Sequence, residues 1–432
     1  MNKGLRQACL SVGLTFALGI LLLGDPAGAQ PSTTDRPTPS AAVPGTTPGD
    51  LPDVAPPTIE SGPNEAELED LATIAEQERS TLDRAIVRYA WNDNFTVALE
   101  EIRAVSGDLA EAAITEDGTA WVAFAEEVPV EAVGILARFT AAHPAVDLDV
   151  RTGAGFTEAA FEDAIVRVHT ALYDTPGVME AVTSYDRPAR QIVTTVSLLP
   201  GVDPDLVSTL QTVSAARLAE DGGQGIADVL TTRVFLQDAG LTRDESSSYH
   251  YGGEIITGCT SGFAVRRLSD SSRGIAFAEH CDGTIYDDGD ALTYRSAHNG
   301  THGDMEWRYG PDYEADDFYS GNSTTTEVNR RDVSGYATPT EGQTLCFNGK
   351  TTHKHCQQVR QLSVCSGSAC NLVQMGNHST DGGDSGGPWF YSNTAYGIHQ
   401  GVHCDPFCPY DRSVFTKATR LDNGLGVVVA TG

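Results

Sequence analysis

The chain is poor in positive charge: 28 lysines and arginines stand against 59 aspartates and glutamates, a net charge of -31 over 432 residues. A field of that sign repels nucleic-acid phosphates and anionic lipid, which excludes both as partners, and it favours solubility. Cysteine is absent from residue 30 to residue 258, so no disulfide or thiolate metal centre is built there. A chain of 432 residues is too long for one ordinary core, and two or three folded units are expected.

What is present begins with an export signal. Lys3 and Arg6 form a cationic start, "CLSVGLTFALGILLLG" is an apolar stretch, and Ala27-Gly28-Ala29 fits the small-x-small cleavage rule. Residues 1–29 are therefore expected to be removed, giving a secreted, extracellular protein with no membrane contact after signal cleavage. Of the nine cysteines, Cys9 lies in the signal and the other eight fall between Cys259 and Cys408. An even set confined to one segment predicts disulfides made in an oxidising compartment and a separate domain around them.

Residues 30–63 are rich in Pro, Ser and Thr and predict an extended linker. Residues 64–240 alternate between helical and strand periodicity and predict a cysteine-free α/β region. "NEAELEDLATIAEQERSTLDRAIVRYA" has helical spacing, "TAWVAFA" and "VDLDVRT" predict strands, and "PVEAVGILARFTAAH" and "TEAAFEDAIVRVHTALY" predict helices. "MEAVTSYDRPARQIVTTVSLL" predicts a hairpin turning at Arg187-Pro188, followed by a helix over "PDLVSTLQTVSAARLAE" and a strand over "DVLTTRVFLQ". Residues 245–432 change texture. Short β-rich runs are separated by Gly, Asn, Asp and Ser clusters, with no helical periodicity, which predicts an all-β barrel or sandwich.

Near the C-terminus stands "DGGDSGGPWF", where Ser385 is framed by glycines. Gly383-Asp384-Ser385-Gly386-Gly387 fits both the G-x-S-x-G elbow and the G-D-S-G-G-P run of another hydrolase class. The elbow needs an acid and then a histidine downstream of the serine. No acid occurs between Ser385 and Asp405, and no histidine follows Asp405, so the elbow fails. The order His, Asp, Ser is available upstream. "FAEHC" supplies His280 beside Cys281, and "THGDMEWRYG" supplies Asp304 between Gly303 and Met305. A serine hydroxyl is a poor nucleophile until a base takes its proton, and a carboxylate must fix the tautomer of that base. Asp287, Asp288, Asp290 and Asp317 also satisfy the order, but they sit in polar clusters.

Together "GCTSGF…AEHC…GDMEW…GGDSGGP" resembles the streptogrisin and α-lytic protease branch of the chymotrypsin-like serine endopeptidases over nearly all of residues 245–432. The resemblance implies two six-stranded β-barrels with a catalytic triad in the crevice between them. His280 would be the general base, Asp304 its orienting acid and Ser385 the nucleophile, with the N–H groups of Gly383 and Ser385 as oxyanion hole. Residues 64–240 are similar in placement and size to that family's pro-segment, which assists folding and inhibits until removed. The family layout places Ser379 at the base of the specificity pocket and Ser413 on a facing strand, with Gln400, Gly401 and Val402 on the substrate-binding strand. None of these is charged, so large apolar residues are expected before the cut.

The chain departs from the family pattern at several points. Phe277 stands where a threonine is usual, Glu279 adds a negative charge beside the base, Gln400 replaces a serine that supports the buried acid, and the cysteine shortly before the nucleophile is missing. The resemblance supports the pairs Cys259–Cys281 and Cys346–Cys356, and proximity suggests Cys365–Cys370 and Cys404–Cys408. "HKHC", with His353, His355 and Cys356, and His403-Cys404 invite a metal reading, but disulfides suit a secreted β-domain better. No metal or cofactor is expected. Asn94, Asn299, Asn322 and Asn377 open N-x-Ser/Thr tripeptides, which are common by chance. The expected product is a secreted monomeric endopeptidase acting on polypeptides, with its own pro-region as folding aid and inhibitor. An inactive protease-like binding module and an esterase on the same scaffold are the alternatives.

Overall fold

The computed structural model describes residues 62–199, 201–203, 205–220, 226–236, 252–281, 283–287, 290–310, 316–321, 330–404 and 411–432, apart from the side chains of residues 287, 290 and 404. The export signal, nearly all of the linker, Asp288, Asn322, Cys408 and the junction at 237–251 lie outside them. No helix among the described residues is long and apolar enough to cross a membrane.

The α/β region opens with two helices, α1 (Glu65–Gln77) and α2 (Leu82–Tyr89), where periodicity alone predicts one. The break has a local cause. Arg79 takes a positive φ of 54°, and Thr81 starts afresh as an N-cap accepting from the N–H of Arg84. A third helix, α3 (Asn92–Val105), and α4 (Val130–Ala142) cover a small sheet of β1 (Leu109–Ile114), β2 (Ala120–Phe124) and β3 (Leu148–Arg151), around a core that includes Phe95, Leu99, Ile102, Val122, Phe124 and Phe139. A second lobe packs α5 (Glu158–Tyr173) and α6 (Leu206–Ala219) on β4 (Val178–Asp186), β5 (Gln191–Leu198) and β6 (Thr231–Leu236). β4 and β5 form the hairpin expected at Arg187-Pro188. β5 and β6 run parallel, and α6 lies in the crossover between them, as parallel pairing requires.

The C-terminal segment is mostly β-sheet. One sheet of five strands runs in the order β9-β10-β8-β7-β17. Its members are β7 (Ala264–Arg267), β8 (Arg273–Phe277), β9 (Thr293–Gly300), β10 (Gly303–Tyr309) and β17 (Val427–Val429). The other comprises β11 (Thr344–Phe347), β12 (His355–Ser366), β13 (Ala369–Met375), β14 (Pro388–Tyr391), β15 (Thr394–Cys404) and β16 (Asp411–Lys417), in the order β11-β14-β15-β16-β13-β12. A further pairing of β11 with β12 closes these six strands into a ring. A five-residue helix, Leu421–Leu425, precedes β17, although the sequence there shows only β signals. The helix is too short for periodicity to reveal, and Gly426 ends it in the left-handed conformation at φ 71°.

The two regions share both a sheet and a core. β12 pairs antiparallel with β4, Cys365 opposite Thr183 and Ser366 opposite Val182, so the sheet continues through β4 and β5 to β6. Leu71 and Ile74 of α1 join Phe347, Trp389, Tyr391, Tyr396 and Phe415 in one buried cluster. Each aliphatic side chain buried this way contributes about 1.5–3 kcal/mol. Disulfides join Cys259 to Cys281, Cys346 to Cys356 and Cys365 to Cys370.

Candidate active site

β8 runs inward through Ala276 and Phe277, both fully buried, and delivers His280 on the turn that follows. The Cys259–Cys281 bond ties that turn to residue 259. Asp304 stands at the start of β10 with only 1% of its surface exposed. Its Oδ1 accepts from the N–H groups of Glu279 (2.7 Å) and His280 (3.3 Å), and its Oδ2 lies 2.5 Å from His280 Nδ1. A proton on Nδ1 held by that carboxylate leaves the lone pair on Nε2, the nitrogen a general base uses. Glu279 points its carboxylate at the Asn299 amide, 3.2 Å away. Of the competing acids, Asp317 pairs with Arg330 at 3.2 Å. Asp288 and the side chains of Asp287 and Asp290 lie outside the described residues.

Ser385 sits on a loop gripped from several sides. The N–H of Thr260 donates to its carbonyl at 2.8 Å, and Thr260 Oγ1 donates to the Gly383 carbonyl at 2.8 Å. Gly386 has φ 90°, and a Cβ there would lie 2.1 Å from the Thr260 oxygen and 3.0 Å from Cβ of Phe277, so only glycine fits. Phe277 ends the strand that leads to His280, so this contact brings the Ser385 loop against that strand. The buried Asp384 carboxylate accepts from the N–H groups of Asp381, Thr351 and Thr352 and from the Thr352 hydroxyl.

Those bonds leave a specific remainder. The N–H groups of Asp381, Gly382, Asp384, Gly386 and Gly387 all find acceptors. Those of Gly383 and Ser385 have none among the described residues. Two unpaired donors flanking a hydroxyl are what a developing oxyanion requires. The Ser385 hydroxyl itself donates to the Gln400 carbonyl at 3.3 Å. That is long for an O–H···O bond, so it is weak and readily exchanged.

The residues expected at the specificity pocket fall into two groups. Ser379 and Ser413 meet: the Ser379 N–H donates to Ser413 Oγ at 3.3 Å, and Thr380 Oγ1 lies 2.8 Å from the same oxygen. Gln400, Gly401 and Val402 lie along β15, where Gly401 pairs with Val414 and Val402 with Ser413. Gln400 Oε1 is buried without a hydrogen-bond partner among the described residues.

Sequence reasoning weighed His355 only as a metal ligand and did not single out His399. His355 Nε2 lies 2.7 Å from Ser379 Oγ, and burial pushes its pKa down to about 4. His399 accepts from Trp389 Nε1 at 3.4 Å, and burial holds it well below the usual range, helped by the nearby His280. Burial thus favours the neutral form of both imidazoles. "HKHC" does not form a metal cluster. Among the described residues the one group with metal-ligand geometry is His169 with Cys365 and Cys370, whose sulfurs are bonded to each other.

No family model and no curated protein matches this chain. Solved structures similar to it include protease A of Thermobifida fusca, at 23% identity over 43% of this chain and all of that one, with a TM-score of 0.35. A Cellulomonas bogoriensis chymotrypsin aligns at 22% identity over 43% of this chain and all of that one, TM-score 0.34. A glutamic acid specific serine protease with a histidine triad in substrate binding aligns at 21% identity over 42% of this chain and all of that one, TM-score 0.34. Likeness at this level decides nothing about the chemistry here, which stands on the geometry above.

Proposed function

We propose that the chain is a secreted serine endopeptidase made as a preproenzyme. The observation that carries this reading is the pair of unpaired N–H groups at Gly383 and Ser385, on a loop packed against the strand of the His280–Asp304 couple. In the proposed reaction His280 Nε2 takes the Ser385 proton as Oγ bonds to the substrate carbonyl carbon. The carbonyl oxygen gains negative charge facing the two N–H groups, and Asp304 stabilises the imidazolium. His280 then protonates the leaving amine as the C–N bond breaks, and water repeats the sequence to release the acid. No metal or cofactor enters these steps.

The double six-stranded barrel of residues 245–432, removal of residues 1–29 and the role of residues 64–240 as a pro-region belong to the same proposal. The core and sheet shared by the α/β region and the C-terminal segment suit a folding aid. The uncharged groups around Ser379 and Ser413 favour large apolar residues before the cut, and faster cleavage after Arg than after Phe or Leu would overturn that preference.

The second reading is an inactive binding module, with which the weak bond from the Ser385 hydroxyl to the Gln400 carbonyl at 3.3 Å is equally consistent. Labelling with a phosphonofluoridate decides, since an inert homologue does not react. N-terminal sequencing of the secreted product from wild type and Ser385→Ala tests the rest. The proposal expects a processed wild type and an unprocessed variant, and identical processing of both would refute self-cleavage.

A further inference from the structure

We infer that Thr416 is a positioning residue for the catalytic acid, an inference that rests on the proposed peptidase reading. Asp304 lies beyond the last residue of β10 that pairs with β8, where Glu306 faces Phe277. Both main-chain polar groups of Asp304 turn to the other sheet. Its N–H donates to Thr416 Oγ1 at 3.0 Å, and the same hydroxyl donates to its carbonyl at 3.1 Å. Thr416 is fully buried in β16, between Leu372 of β13 and Ile398 of β15. Asp304 is paired with Asn299 of β9 on one side, and on the side where β8 has ended one hydroxyl from the six-strand ring takes the place of a ladder partner.

The sequence is shaped around this contact. Gly303 has φ 117°, and a Cβ on it would lie 2.5 Å from Thr416 Cγ2 and 2.6 Å from its Oγ1. Glycine before the acid is thus needed for the threonine to reach it. Gln400, standing where sequence reasoning expects a serine on Asp304, gives the carboxylate no hydrogen bond among the described residues. The grip passes to the main chain, and Thr416 sets the distance from Asp304 to His280 without touching the imidazole.

The test compares Thr416→Val, Thr416→Ser and Gly303→Ala, each expressed as the full chain, with active sites counted by phosphonofluoridate. Loss of the hydroxyl in Thr416→Val should lower kcat about 10- to 100-fold, the scale of a small misplacement, with KM little changed. It should also move the acidic limb of the pH–rate profile, because the carboxylate no longer holds the imidazolium as well. Thr416→Ser should keep the wild-type kcat and profile, and Gly303→Ala should share the defect of the Val variant. The inference is overturned by Val or Ala variants with wild-type kcat and pH profile, or by a Ser variant as impaired as Val. A wild type that neither labels nor hydrolyses fails differently, removing the peptidase reading and this inference with it.

Discussion

Asp70 of α1 and Arg331 form a bidentate pair, Nη1 to Oδ2 and Nη2 to Oδ1, both at 2.9 Å, with Asp70 fully buried. The same carboxylate takes Lys354 Nζ at 2.8 Å and the Ser392 N–H at 2.7 Å. The α/β region thus supplies the counter-charge for two cations of the C-terminal segment. Asp70→Ala should destabilise the intact chain by about 1–3 kcal/mol, since the buried Ser392 N–H loses its acceptor and both cations keep only the half-exposed Glu69. Urea unfolding in a Ser385→Ala background measures this, and an unchanged midpoint would contradict it.

Glu67 and Asp93 should make the joint between the two regions pH-dependent. Burial, with repulsion from Asp93, raises the Glu67 carboxyl to about 7, and burial raises Asp93 to about 6. Glu67 accepts from Tyr391 at 3.1 Å, and Tyr396 donates to Asp93. A raised carboxyl binds its proton more tightly when folded, so stability is full below the ordinary carboxyl range and falls as pH rises through about 7. For Glu67 the loss is about 3 kcal/mol. Unfolding of the Ser385→Ala chain at pH 5 and pH 8 should show the drop, and Glu67→Gln should shrink it.

The Glu162 cluster should respond in the opposite sense. Burial alone would raise Glu162, but Lys417, at 2.5 Å, and Arg420 outweigh it and hold the carboxyl at about 2. Its contribution is present above the ordinary carboxyl range and is lost as pH falls from there toward 2. Glu162→Gln should therefore lessen the loss of stability on acidification below the ordinary carboxyl range, measured by urea unfolding of the Ser385→Ala chain, and a variant whose decline matches the parent would count against the cluster.

Asp304→Asn should leave the fold in place and lower kcat about 10,000-fold, because an amide can present its N–H to the imidazole and stabilise the wrong tautomer. Retention of even a tenth of the activity would remove Asp304 from the proposed triad.

Gly386→Ala should cost on the order of 1–3 kcal/mol in backbone strain alone, in addition to the clash with the Thr260 carbonyl. The nucleophile loop should shift, and labelling of Ser385 should slow even under conditions that keep the protein folded.

Sequence reasoning reached Ser385, His280 and Asp304 through one dense motif and the order of residue types along the chain, and the structure places His280 on Asp304. It reached most of the helices and strands of the α/β region because their apolar spacing is regular. It missed β1, whose "LAEAAI" is rich in good helix formers; pairing with β2 and a bond from Ile114 to the Glu341 carbonyl make it a strand. It missed α3, whose N-cap position holds Trp91 with no side-chain cap. Thr416 was invisible because nothing local marks a threonine that bonds a residue 112 positions earlier.

The strand pairing of Ser366 with Val182 and Cys365 with Thr183 has a kinetic consequence. Cutting the polypeptide between the two regions does not part them, because the seam is non-covalent and runs through a hydrophobic interior. If the proposed processing occurs, departure of the α/β fragment would require the strands to unzip and water to enter, so its half-life would be governed by an unfolding barrier rather than by the cleavage event. The same separation lays bare two fresh strand rims, inviting the fragment's own digestion or aggregation once it lets go.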